Sequence, residues 1–262
     1  MDLGLKGKRV LITGASRGLG FATALILAEE GASVAINSRS PEKLAEAALK
    51  LRKSGADIAV LVGDVTDPTV PDELVRNTVE AFGGLDILVT NAGGPPPGKF
   101  DEFDDAAWIK AVDISLLAHV RLIRSALPHL RQSPVPSVLT ITSITVKQPI
   151  ANLVLSNSVR AATAGLTKSL ALELGGEGIR FNCILPSWTL TERVQDLMRN
   201  RAKANKTTEE EELSRQAKEA ALGRMAQPEE FARAAAFLVS PAASYITGVM
   251  LTVDGGSYKA TW

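Results

Sequence analysis

"VLITGASRGLG", residues Val10 to Gly20, is an apolar run that breaks into a turn with three glycines and then opens a helix. Gly14, Gly18 and Gly20 fall in the spacing G-x-x-x-G-x-G, with Ser16, Arg17 and Leu19 between them. Glycines so placed let a backbone approach a pyrophosphate closely, and the helix that follows supplies N–H groups and the positive end of its dipole. A bare tight turn would use the same glycines. The surroundings decide between the two.

Working outward, β-prone apolar runs recur at Val10–Thr13, Val34–Asn37, Ile58–Gly63, Asp86–Thr90, Val138–Thr142, Ile179–Leu185 and Val249–Val253. Helical spacing fills the gaps. Gly20–Glu30 stops at Gly31, and the next helix opens on "SPEKL", with Ser40 as cap and Pro41 in its first turn. Steady alternation of strand and helix predicts an α/β fold, a doubly wound parallel sheet with helices on both faces. No repeat, linker or composition break divides the chain, so residues 1–262 read as one domain. A charged, helix-prone stretch at residues 192–222 reads either as solvated surface helices or as a lid over a cleft at the strand ends.

Composition narrows the function. Lys+Arg and Asp+Glu balance at 29 each, so no net charge draws the chain toward nucleic acid or a membrane surface. One cysteine, Cys183, and two histidines leave no disulfide framework and little for a metal site, so no metal is expected. The N-terminus runs straight into a strand without a secretory leader, and no apolar run is long enough to span a bilayer, which makes a cytoplasmic location the expectation.

The second strand ends in "INSRS", about twenty residues beyond the glycines. An NAD binder places Asp or Glu there for the ribose hydroxyls. Here stand Asn37, Ser38 and Arg39, with Arg17 in the glycine turn. Two guanidinium groups suit a 2′-phosphate, so NADP is favoured over NAD, which stays open.

"TGASRGLG", "GDVTD" (63–67), "TNAGG" (90–94), "TKSLALEL" (167–174) and "TGVMLTVDGG" (247–256) occur in order along nearly the whole chain. Together they resemble the short-chain dehydrogenase/reductase family, most of all its β-ketoacyl-carrier-protein reductase type. The resemblance implies a seven-stranded Rossmann sheet, a nicotinamide dinucleotide, a small-molecule carbonyl or secondary-alcohol substrate, and a homotetramer or homodimer. It implies that Asp64 and Val65 flank the adenine, and that Asn91, Ala92 and Gly93 run beside the cofactor. Pro186, Ser187, Thr189 and Thr191 of "LPSWTLT" would pass over the nicotinamide, with Ser187 where the family has glycine.

Family members carry four residues for proton transfer, an Asn, a Ser, a Tyr and, four beyond it, a Lys. Those positions fall here on Ser115, Ser143, Ser156 and Arg160. The spacing is intact and three of the four groups differ. Serine is a far weaker acid than a phenol, and Arg160 keeps its charge without being a tunable proton carrier. The chain's two tyrosines, Tyr245 and Tyr258, lie far along the sequence. Lys147 is the nearest titratable substitute, His119 a weaker one, and Asp113 reads as a cap or solvent-facing group at its helix start. Three readings follow: an NADP-dependent oxidoreductase using Ser143, Arg160 and water or Lys147; a catalytically silent NADP(H)-binding sensor or scaffold; or a halide-binding relative like the halohydrin dehalogenases, which use Ser, Tyr and Arg.

Overall fold

The computed structural model describes residues 2–261. Seven strands form one parallel sheet in the order β3-β2-β1-β4-β5-β6-β7. They are β1 (Arg9–Ile12), β2 (Ser33–Ser38), β3 (Ile58–Val62), β4 (Ile87–Thr90), β5 (Ser137–Ile141), β6 (Arg180–Pro186) and β7 (Met250–Val253). Each apolar run seen in the sequence became a strand, with no end shifted by more than one residue.

The helices that cover the sheet are α1 (Gly18–Glu29), α2 (Pro41–Leu51), α3 (Val70–Phe82), α4 (Asp105–Val112), α5 (Ala118–Leu130), α6 (Val154–Leu174), α7 (Glu192–Asn205), α8 (Glu209–Ala217) and α9 (Pro228–Val239). Side chains of a strand alternate between faces, which sorts the core into two layers. Val10, Ile12, Ile87 and Val89 pack with α1, α2 and α9. Leu11 and Leu88 point the other way, into the cluster built by α3, α5 and α6. Both faces are therefore apolar, as a parallel sheet requires.

Local chemistry sets the helix starts. Ser40 caps α2 by accepting from Lys43 N–H, and Asp104 caps α4 by accepting from Ala107 N–H at 2.9 Å. Of the two expectations for Asp113, a cap or a solvent-facing group, the structure keeps the second: its side chain is partly exposed and caps no helix start. It opens a π-helical turn, residues 113–117, that joins α4 to α5, and its carboxylate accepts from Arg121 at 2.8 Å. The two helices are continuous there, so no free helix end exists for Asp113 to cap. No described helix is long and apolar enough to cross a membrane.

β1 and β4 are joined at their amino ends by Asp86, whose buried carboxylate accepts four hydrogen bonds. Three come from Arg9, through its backbone N–H and its Nε at 2.9 Å each and its Nη2 at 2.7 Å; the fourth comes from Ser133 Oγ at 2.6 Å. Burial pushes this carboxyl up, but the bonds from Arg9 and Ser133 outweigh it and hold it below the usual carboxylate range. Replacing it as Asp86→Asn is expected to cost about 2 kcal/mol, the range for charge-assisted hydrogen bonds, and lower Tm by about 4–8 °C. A depressed pKa stabilises above the unfolded-state value and is lost as pH falls through the folded one. Urea titrations should thus show a constant gap between wild type and variant from about pH 5 to 8 that closes below about pH 4.

Candidate active site

The crevice at the carboxyl ends of the strands opens where β1 has β2 on one side and β4 on the other, so successive crossovers leave in opposite directions. The glycine turn fills its floor. Gly14 and Gly18 adopt φ of +60° and +59°, which side chains disfavour. A Cβ on Gly20 would stand 2.3 Å from the Gly14 carbonyl oxygen. Asn91 Nδ2 donates to that same carbonyl at 3.0 Å, and Thr13 Oγ1 bridges to the Asn91 backbone. Arg17 occupies the cap position of α1 without giving a side-chain acceptor. The first N–H groups of α1 are therefore left for an anion, and the cradle fits a dinucleotide pyrophosphate.

Asn37 is buried, and its amide donates to the carbonyls of Leu61 and Gly63 at 3.0 and 3.1 Å. That side chain fastens β2 to β3. Arg39 is exposed and pairs with Asp64 at 3.5 Å; Arg17 pairs with Glu192 at 3.3 Å. Burial raises the Asp64 carboxyl, but bonds from Thr66 and the charge of Arg39 hold it below its ordinary range. Ser38 is half-buried at the strand end, and Val65 is buried beside Asp64.

Across the crevice, Ser143 accepts from Thr145 N–H at 3.2 Å, which fixes its hydroxyl beside the end of β5. Thr145 Oγ1 lies 3.5 Å from the hydroxyl of Ser156, in the first turn of α6. Ser115 falls in the π turn; its backbone carbonyl accepts from the Thr163 hydroxyl, while its own buried Oγ has no protein partner among the described residues. Arg160 is only 9% exposed, one turn beyond Ser156. Burial first, then the charge of Arg193, lowers its pKa to about 10, so it stays a cation at neutral pH. His119 is buried and pushed down to about 3 by burial and then by Arg160, which makes it a neutral imidazole.

Lys147 is exposed, its Nζ 5.4 Å from the ring centroid of Tyr258. The backbone N–H of Lys259 also donates to Gln148. The C-terminal segment thus folds back onto the loop after β5, and Tyr258, remote in sequence, is brought to Lys147. No local pattern in the sequence signals that approach.

The roof comes from the segment after β6. Ser187 Oγ donates to Ser257 at 3.4 Å, and buried Thr189 Oγ1 donates to the Ser187 carbonyl. Thr191 caps α7 and lies beside Gly18, where an added Cβ would meet it at 3.7 Å. Pro186 ends β6. Helices α7 and α8 form a hairpin locked by buried Glu212, which accepts from Asn205 and Thr207, and Arg201 stacks over Trp188 at 5.2 Å. Beside Gly94 a cleft of about 480 Å³ runs past Thr66, Pro95 and Ile114.

The family profile described as "Enoyl-(Acyl carrier protein) reductase" matches residues 14–258. This chain belongs to the short-chain dehydrogenase/reductase family. Tropinone reductase-like 3 of Erythroxylum coca is 34% identical over 96% of this chain and 93% of that protein. L-sorbose reductase of Gluconobacter frateurii, solved with NADPH and L-sorbose, superposes with a TM-score of 0.96 at 35% identity, covering 99% and 100% of the two chains. An NADPH-bound short-chain oxidoreductase of Pseudomonas aeruginosa PAO1 with an atypical catalytic centre gives 0.89 at 31%, covering 98% and 99%.

The short-chain dehydrogenase/reductase fold is an oxidoreductase scaffold, and this member keeps the glycine cradle that a nicotinamide dinucleotide needs. Gly20 carries the sharpest steric demand in it. Gly20→Ala is expected to fold yet bind NADPH at least about tenfold more weakly, roughly 1.4 kcal/mol, as the added methyl pushes the Gly14 carbonyl aside. Titration of the cofactor by intrinsic fluorescence checks this.

Proposed function

We propose that the protein is an NADPH-dependent reductase, or the reverse dehydrogenase, acting on a small carbonyl or secondary alcohol, with 3-oxoacyl-thioester-like compounds among the candidate substrates. The observation that carries it is the convergence of an intact glycine cradle, a fixed Ser143 and a buried cationic Arg160 on one crevice. The bound nicotinamide would supply or take the hydride. Gly14, Ser16, Arg17, Gly18, Leu19 and Gly20 would hold the pyrophosphate, and Ala92 and Gly93 would run along the ribose. Exposed ion pairs are worth about 0–1 kcal/mol, so a 2′-phosphate can take Arg39 from Asp64 and Arg17 from Glu192 at small cost. The NADPH bound to L-sorbose reductase supports the same cofactor here.

Ser143 donates to the substrate oxygen, its rotamer held by Thr145. Arg160 lies one helical turn from Ser156 and stabilises negative charge as it develops on that oxygen, a low-dielectric effect larger than it would be in water. Lys147 stands at the surface over Tyr258. The proton therefore reaches the oxygen from water relayed by the Ser156 and Thr145 hydroxyls, with the orphan Ser115 hydroxyl lending a further site. A missing general acid lowers the rate by about 10²–10⁴. Slow turnover is the consequence. The α7–α8 hairpin acts as the lid, and Ile109 and Leu172, exposed on α4 and α6, support assembly as a homotetramer or homodimer.

NADPH oxidation against ketoses, cyclic ketones, β-keto thioesters, quinones and aldehydes tests the reading. Turnover on at least one class, cut about a hundredfold or more in Ser143→Ala, is expected. Rates no higher than those of Ser143→Ala on every class would sink it. NADPH binding without turnover would instead favour the silent sensor or scaffold, the reading that Ser156 and Arg160 motivate. For the cofactor, Arg39→Ala is expected to weaken NADPH about tenfold and leave NADH unchanged, as loss of one charge-assisted phosphate contact requires. Calorimetry with both nucleotides decides it.

A further inference from the structure

Gly94 follows the loop after β4, and two guanidinium groups crowd it. A Cβ placed on Gly94 would stand 3.1 Å from Nη2 of Arg160 and 3.4 Å from Nη2 of Arg193. Arg160 comes from α6 and is buried; Arg193 comes from the first turn of α7 and is exposed. Among the described residues neither has an acidic partner. Buried His119, which feels the charge of Arg160, is neutral and offers no countercharge.

Such an arrangement is unfavourable by itself. Two like charges in a partly desolvated crevice repel, and a cation in the first turn of a helix opposes the helix dipole. Nothing in α7 asks for Arg193, since Thr191 already caps that end and Glu192 supplies its acidic group. The absence of a side chain on Gly94 lets both guanidinium groups come up to the same face of that residue. Two guanidinium forks brought side by side there match a phosphate or carboxylate lying between them.

We infer that Arg160 and Arg193 form a clamp for an anion beside Gly94, closing α7 onto α6. The anion is a phosphate oxygen of the bound dinucleotide or a carboxylate carried by the substrate; the inference rests on the reductase reading for the identity of those two sources. Arg193 is then a binding residue that sequence spacing alone does not reveal.

Calorimetry on wild type, Arg193→Leu and Arg193→Lys tests it with three titrations: inorganic pyrophosphate into the cofactor-free protein, NADPH into the cofactor-free protein, and oxalate into the protein saturated with NADP⁺. Wild type is expected to bind in at least one titration with an affinity that falls about tenfold or more in Arg193→Leu and is partly restored in Arg193→Lys. A loss seen with NADPH or pyrophosphate assigns the anion to the cofactor. A loss confined to oxalate assigns it to a substrate carboxylate. Equal affinities in wild type and Arg193→Leu in all three titrations would overturn the clamp, and so would no binding by wild type in any of them. If NADPH binds and is turned over while Arg193→Leu changes nothing, the clamp fails and the reductase reading stands. If NADPH does not bind while pyrophosphate binding depends on Arg193, the reductase reading fails and the clamp stands.

Discussion

The contact between Gly20 and the Gly14 carbonyl organises the nucleotide end of this molecule. At the spacing found there, no side chain can stand on Gly20 without displacing backbone. The displaced carbonyl is the one that Asn91 holds, and Asn91 is in turn tied to Thr13. One missing Cβ thereby fixes the exit of β1, the start of α1 and the loop after β4 together. The anion cradle goes with that packing, because α1 starts directly after the glycine turn on Arg17, which gives no side-chain cap. Its first N–H groups must find their partner outside the protein.

The chemical end is held by different means, and none of them involves a proton carrier. Asn157 exchanges hydrogen bonds with both backbone groups of Ile150, which sets the start of α6 against the preceding loop. Thr163 binds the Ser115 carbonyl that the π turn presents. These anchors keep α6 at its distance from Ser143 whatever stands at positions 156 and 160. The placement of α6 thus rests on contacts other than those of Ser156 and Arg160.

The fold was legible because its signals are periodic and local. Strand alternation, the glycine spacing and the cap at Ser40 each depend on residues a few positions apart. What the sequence hid are contacts whose partners are distant in the chain. The Asn37 amide serves the carbonyls of Leu61 and Gly63, more than twenty residues away, because a buried amide beside two strand-end carbonyls satisfies them first. Asp113 looked like a cap because an acid before apolar residues resembles one; a π turn, which leaves no composition mark, carried the helix through it. Tyr258 and Arg193 were invisible as site neighbours for the same reason. Each reaches the crevice from a segment that only tertiary packing brings there.

Charge gives the crevice its remaining character. The chain is neutral overall, yet Arg17, Arg39, Arg160 and Arg193 gather at the carboxyl ends of the strands. Two of them rest on exposed carboxylates in pairs weak enough to exchange for a stronger anion. Arg160 has no such pair to give up, and its burial leaves the charge poorly screened. On the clamp proposed above, an entering anion would displace no existing ion pair at Arg160 or Arg193 among the described residues. An ordinary lysine at the same place would bind as a point charge and move its proton; the arginine holds its charge and its planar fork, which favours a fixed anion over a transferable proton.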